Sequence, residues 1–185
     1  MAQAAASESF SENGVSIELT KLGSNSRSIH SKVAINASLD TVWKIMTDYE
    51  KFADVIPSLT VCKVVERVGN RARVYQIANQ NLPLGMKFKS KVTLDCFEKD
   101  VETTASGIKR DLEYKMVEGD FQIFEGKWSI EQVTQGQKLE TTLAYIVDVV
   151  KPKAWVPINL VEGKLCKEMQ ANLSSIRDAA EKMNH

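Results

Sequence analysis

From Ile158 to the C-terminal end, apolar residues recur every three or four positions: Ile158, Val161, Leu165, Met169, Leu173, Ile176, Ala180 and Met183. That spacing is one apolar stripe along a helix. Pro152 and Pro157 bracket its approach, and Pro157 can stand in the first helical turn without forfeiting a needed N–H. Carried to Met183, the helix is roughly 40 Å long at 1.5 Å per residue. A stripe of that length has to lie along a broad apolar surface, and only a sheet in the preceding chain can supply one.

The preceding chain reads as sheet almost throughout. Val15, Ile17 and Leu19 alternate with polar residues; after the turn Gly23-Ser24-Asn25-Ser26 the alternation returns at Ile29, Ser31, Val33 and Ile35. The period then changes. Ser38 is an N-cap, Leu39, Val42, Trp43 and Met46 follow at helical spacing, and a second short helix covers Tyr49 to Val55 before Pro57. Val61–Val68 and Arg71–Ala78 flank Gly69-Asn70 as a hairpin. A loop is expected over Asn79–Gly85, and then comes the clearest two-faced strand. On it Met86, Phe88, Ser90, Val92, Leu94 and Cys96 face one way, and Lys87, Lys89, Lys91, Thr93 and Asp95 face the other. Further strands fit Val101–Ile108, Leu112–Val117, Phe121–Val133 and Leu139–Val150. Hairpin spacing without crossover helices makes the sheet antiparallel. The expected fold is α+β: a curved antiparallel sheet of six to seven strands around the C-terminal helix, with two short helices after the first strand.

Composition narrows the function. Lys+Arg and Asp+Glu both number 24, a balance unlike the basic excess of a sequence-independent nucleic-acid binder. No run approaches the about 18 apolar residues of a membrane-spanning helix. Cys62, Cys96 and Cys166 are scattered without CxxC spacing and read as reduced thiols. With only His30 and His185, no metal site is expected, and His30, in an alternating strand, reads as a sheet histidine. No phosphate-cradling glycine loop and no cofactor signature occur. Residues 1–14 are rich in Ala, Ser and Glu and are expected to form a flexible leader to one domain over 15–185.

One helix laid across a curling sheet touches its middle and leaves its ends uncovered. The pattern alone leaves two readings open, a solid interdigitated core and an apolar cavity of the kind that binds small molecules. The amphipathic strands carry no inward Asp, Glu or His, so Tyr114 and Lys115 are the best polar candidates for acid–base work. Tyr75, Tyr114 and Tyr145 read rather as anchors for packing or for a ligand's polar head, and no catalytic residue is assigned. Trp155, between two prolines, suits a cavity mouth or a membrane interface. The Lys87, Lys89, Lys91 row reads as a solvated strand face.

Two segments carry a resemblance. Asp48-Tyr49-Glu50-Lys51-Phe52-Ala53-Asp54-Val55-Ile56-Pro57, followed by Val61-Cys62-Lys63-Val64-Val65-Glu66, resembles the second-helix signature of the START-like polyketide cyclase/dehydrase superfamily. Glu118-Gly119-Asp120-Phe121-Gln122-Ile123-Phe124-Glu125-Gly126-Lys127-Trp128 resembles the Gly-x-Phe…Gly-x-Trp strand pair of its coenzyme Q-binding branch, with plant plastid-targeted cyclase-like members as the nearest likeness. The likeness extends over about residues 27 to 183. It implies the helix-grip fold and an internal cavity holding a hydrophobic small molecule, an isoprenoid quinone or another lipid, with no cofactor. The expected ligand-binding residues are Met86, Phe88, Ser90, Val92, Trp128, Tyr145, Val161, Leu165 and Met169. It also implies a chloroplast protein whose transit peptide lies upstream (a mitochondrial one is the alternative), a monomer, and at most transient membrane contact. The alternatives it leaves are a polyketide cyclase/dehydrase-type enzyme and a ligand-free, co-chaperone-like interaction module.

Overall fold

The structure, a computed structural model, describes residues 7–81 and 87–183, without the side chains of residues 80–81 and 87–88. The elements run β1 (Ser7–Glu12), β2 (Val15–Lys21), β3 (Arg27–Ile35), α1 (Leu39–Thr47), α2 (Tyr49–Val55), β4 (Leu59–Val68) and β5 (Arg71–Asn81). They continue with β6 (Lys87–Glu98), β7 (Glu102–Thr103), β8 (Gly107–Gly119), β9 (Phe121–Gln135), β10 (Lys138–Pro152) and α3 (Ile158–Met183). The strands form one antiparallel sheet in the order β1-β2-β3-β10-β9-β8-β6-β5-β4, with β7 paired to β8. Register shifts at Val147/Val149 on β10 and Thr93/Leu94 on β6 mark bulges, which bend a strand and deepen the twist. The result is the helix-grip arrangement, a curved sheet holding α3 in its concavity.

The position of α3 follows from polar ties that all lie toward one edge of the sheet. In the β2–β3 turn, Asn25 Oδ1 accepts from the Ile158 N–H at 2.8 Å and Asn25 Nδ2 donates to the Val156 carbonyl at 3.2 Å. Together these cap the helix start. Buried Arg27 pairs with Glu162 at 2.6 Å. Farther along, Glu181 accepts from the Asn36 N–H at 3.0 Å, and Arg177 donates to the Asn13 carbonyl at 2.6 Å. The helix therefore leans on β2, β3 and β10. There Leu173 and Ile176 are fully buried, each contributing roughly 1.5–3 kcal/mol of transfer free energy. The half of the sheet made by β5, β6 and β8 arches away from α3.

α1 and α2 close part of that opening. Ser38 Oγ accepts from the Thr41 N–H at 3.2 Å, the expected N-cap. Gln132 of β9 adds a second anchor, its Oε1 accepting from the Leu39 N–H at 2.9 Å. α1 buries Val42, Trp43 and Met46; α2 buries Tyr49 and Phe52. Arg110 stacks its guanidinium 3.8 Å from the Trp43 ring centre.

Several expectations need correction. Among the described residues the sheet has ten strands rather than six or seven; one of them, β1, is wholly exposed and shows no apolar alternation. The short helices follow β3, not the first strand. The expected flexible leader over 1–14 contains β1, paired with β2 through Asn13-Gly14. Both turn residues have positive φ, 54° and 76°, the pattern of a type I′ hairpin. The strand expected at Val101–Ile108 is two pieces, β7 and the start of β8. β5 continues into the expected loop as far as Asn81; the rest of that loop lies outside the described residues. Asp95, placed on the solvated strand face, is buried at 8% exposure. Arg73 holds it through two contacts at 2.8 and 3.1 Å, and Arg71 through one at 3.2 Å.

Candidate functional site

Where the sheet arches from α3 the interior is hollow. The space open to the centre of a water molecule is about 140 Å³, room for roughly ten waters. A packed core holds few voids larger than one. Inner-face residues of β5, β6, β8, β9 and β10 line it, with Met46, Phe52 and Ile56 from the short helices and Leu165, Glu168, Met169 and Asn172 from α3.

One wall is a continuous run of aromatic rings. Phe52 meets Trp128 edge-on at 6.3 Å between centroids, and Trp128 stacks on Tyr145 at 3.9 Å. Tyr145 lies 5.9 Å from Tyr114, Tyr114 lies 5.3 Å from Phe124, and Phe124 stacks on Phe121 at 5.3 Å. Alternation puts Phe124 and Trp128 of β9 on one face; Phe52 comes from α2, and Phe121 joins them past the irregularity in the β9–β10 register at Lys151/Pro152. Such offset and edge-on contacts stiffen a wall beyond what burial alone gives.

Polar groups sit within this apolar lining. The Tyr114 hydroxyl donates to the Ile146 carbonyl at 3.0 Å, beside the Tyr145 ring. Burial, and after it Tyr145, pushes the Tyr114 phenol well above its usual range. Burial pushes Tyr145 up to about 12, offset by Tyr114 and reinforced by the charge of Glu168. Both phenols are therefore neutral near pH 7, serving as hydrogen-bonding groups and not as acids or bases poised for proton transfer. One helical turn beyond Glu168, Asn172 faces the same space, and its Oδ1 is buried with no hydrogen-bond partner among the described residues.

Of the expected ligand-binding residues, Ser90, Val92, Trp128, Tyr145, Leu165 and Met169 line the cavity together. Val161 is buried in the core away from that lining, because it falls on the part of α3 turned toward the near half of the sheet. Met86 lies outside the described residues, as does the side chain of Phe88. Lys115 is exposed and points away from the interior; His30 is likewise exposed. Trp155 is 76% exposed just before α3. Sequence reasoning sought an inward acid on the strands and missed the helix. Glu168 and Asn172 are spaced i, i+4, and Leu165 and Glu168 i, i+3, so all three share one face. That spacing groups Glu168 and Asn172 with Leu165 but does not say which part of the sheet they face.

Residues 35–174 match a family model described as polyketide cyclase/dehydrase and lipid transport. Among solved structures, the chain is similar to human StAR-related lipid transfer protein 5, at 11% identity and a TM-score of 0.73, over 97% of this chain and 88% of that one. It is similar to a STAR-related lipid transfer protein fragment from Xanthomonas axonopodis, at 12% identity and a TM-score of 0.69, over 95% of this chain and 98% of that one. It is also similar to the Zhui aromatase/cyclase of a Streptomyces species, at 15% identity and a TM-score of 0.65, over 86% of this chain and 96% of that one. At these identities the likeness is one of fold. No curated protein sequence matches the chain significantly.

Proposed function

The chain belongs to the polyketide cyclase/dehydrase and lipid transport family, and from that premise we propose that it binds a lipophilic small molecule, an isoprenoid quinone or related lipid, in its internal cavity. The observation carrying this reading is the pre-formed hollow walled by the Phe52–Trp128–Tyr145–Tyr114–Phe124–Phe121 rings. A rigid apolar wall with a few polar groups is what holds a hydrophobic ligand in one orientation. Trp155 and Leu160, 76% and 66% exposed at the start of α3, supply the apolar contact for transient docking on a bilayer, where ligand is taken up or released. Native mass spectrometry and solvent extraction of the purified protein test the proposal. A co-purifying quinone or lipid at a fixed stoichiometry is expected; protein that stays empty when mixed with lipid vesicles would overturn it.

Glu168 favours a second reading, a cyclase-type enzyme, because a carboxylate facing an apolar cavity can serve as the general base that ring closure needs. Turnover of a poly-β-ketone thioester analogue, lost in Glu168→Gln, would establish it. Tight binding of a lipid without turnover of the analogue would leave the binding function alone.

A further inference from the structure

Resting on the lipid-binding reading, we infer that the cavity recognises its ligand through a hydroxyl donor, so that it takes an alcohol, phenol or hydroquinone in preference to the corresponding quinone. The observation is the chemistry of the one polar turn of α3 that faces the hollow. Asn172 Oδ1 is an acceptor, buried and without a partner among the described residues. A buried acceptor left unpaired is costly, and native interiors pair such atoms with protein, water or ligand. Glu168, one turn earlier on the same face, can only accept when ionised, and its charge already bears on Tyr145. On the opposite wall the Tyr114 proton is committed to the Ile146 carbonyl. This turn of α3 thus presents to the cavity a buried acceptor in want of a donor.

A quinone ring offers only acceptors at its two carbonyls and would leave Asn172 Oδ1 unpaired. Its two-electron, two-proton reduced form offers two O–H donors at the same positions, with nearly the same shape. An anionic head is disfavoured by the Glu168 carboxylate. Shape therefore does not discriminate between the two oxidation states, whereas hydrogen bonding does. One such bond is worth about tenfold in affinity.

The test uses the full chain and three probes of matched size: a decyl-substituted 1,4-benzoquinone, its hydroquinone, and the dimethyl ether of that hydroquinone. Binding is measured anaerobically by calorimetry. The hydroquinone is expected to bind about tenfold more tightly than the quinone or the ether. In Asn172→Leu the hydroquinone should fall to the quinone's affinity while the quinone is little changed. Asn172→Asp keeps the acceptor and should retain the preference for hydroquinone, which separates an acceptor at this position from the amide's donor. Thermal melts confirm that both variants fold. Equal affinity for all three probes, or loss of the preference in Asn172→Asp as complete as in Asn172→Leu, would overturn the donor inference and leave lipid binding intact. Failure of all three to bind would overturn both.

Discussion

The Tyr114 hydroxyl reaches the Ile146 carbonyl, 3.0 Å away, across a strand position that carries no side chain. The position is Gly126, which pairs with Tyr114 on β8 and with Val147 on β10. A Cβ built there would lie 2.0 Å from the Ile146 oxygen and 2.7 Å from the Tyr114 hydroxyl. The glycine of the Gly-x-Trp pair is thus explained by close approach: it lets a phenol from one strand bond to the backbone of the strand beyond its neighbour.

Gly126→Ala is accordingly expected to destabilise the fold by about 1–3 kcal/mol or more, since the Ile146 backbone cannot move without breaking the sheet. Tyr114→Phe alone should cost about 0.5–1.5 kcal/mol, the net worth of one hydrogen bond. Combining them should not rescue Gly126→Ala, because the tighter clash is with backbone. Urea unfolding of the three variants measures this. Recovery of stability in the double variant would show that the hydroxyl, not the Ile146 carbonyl, is what excludes a side chain.

The three cysteines are predicted to be inert in the folded protein. Burial pushes Cys62 and Cys166 up to about 11 and Cys96 up to about 12. At pH 8 roughly one thiol in a thousand or fewer is then the reactive thiolate. A chromogenic disulfide reagent should label none within minutes, and all three once the chain is unfolded in guanidinium. The linkage runs in the alkaline direction. Unfolded thiols ionise near about 8.5 while the folded ones stay protonated, so stability is fully present below that pH and declines as pH rises toward the folded values. Fast labelling of Cys96 in native protein would mean that the cavity admits a charged reagent.

How far the sequence could be read differs by element, for physical reasons. α3 was legible because its buried residues must repeat with the helical period; its boundaries and its Asn25-held start follow from Pro157 and the turn before β3. The strands with one buried face were legible too. β1 was not, because every one of its side chains is exposed and alternation carries no information there. The Asn13-Gly14 turn is its available signal, since both residues have positive φ. Within the site, Ser90, Val92, Trp128 and Tyr145 could be assigned from strand alternation. Glu168 and Asn172 could not be recognised as cavity groups without knowing that α3 leans toward β2 and β3. That lean depends on Arg27–Glu162 and Asn36–Glu181, pairs separated by most of the chain.

Acid should weaken the protein partly through Asp95. Its hydrogen bonds from Arg73, then from Arg71, hold the carboxyl below the usual carboxylate range, against the opposing effect of burial. A depressed folded value means the unfolded state takes up the proton first. The contribution is therefore present above about pH 4, the unfolded aspartate value, and is lost as pH falls below it. Asp95→Asn should lower the melting midpoint at pH 7 and flatten its dependence between about pH 4 and 2. A variant with the same acid dependence as the parent would place that dependence elsewhere.

Ser90→Trp tests the hollow itself. Ser90 lies directly across from Ala78 in the β5–β6 register, and both line the cavity. Two small side chains facing each other, beside Val92 and under the aromatic wall, leave the open space that a larger pair would fill. An indole at Ser90 can turn into about 140 Å³ of existing space rather than forcing a packed neighbour aside. The usual overpacking cost of about 1–3 kcal/mol should therefore be largely avoided. The expected outcome is a cooperative melt close to that of the parent together with a large loss of bound lipid or quinone after extraction. The paired measurement separates the cases. Unchanged ligand in a stable variant would mean that the ligand sits away from β6. A variant that fails to melt cooperatively, from a parent that carries no lipid, would mean that the space collapses around ordinary packing and that the molecule is not built to hold a small molecule at all.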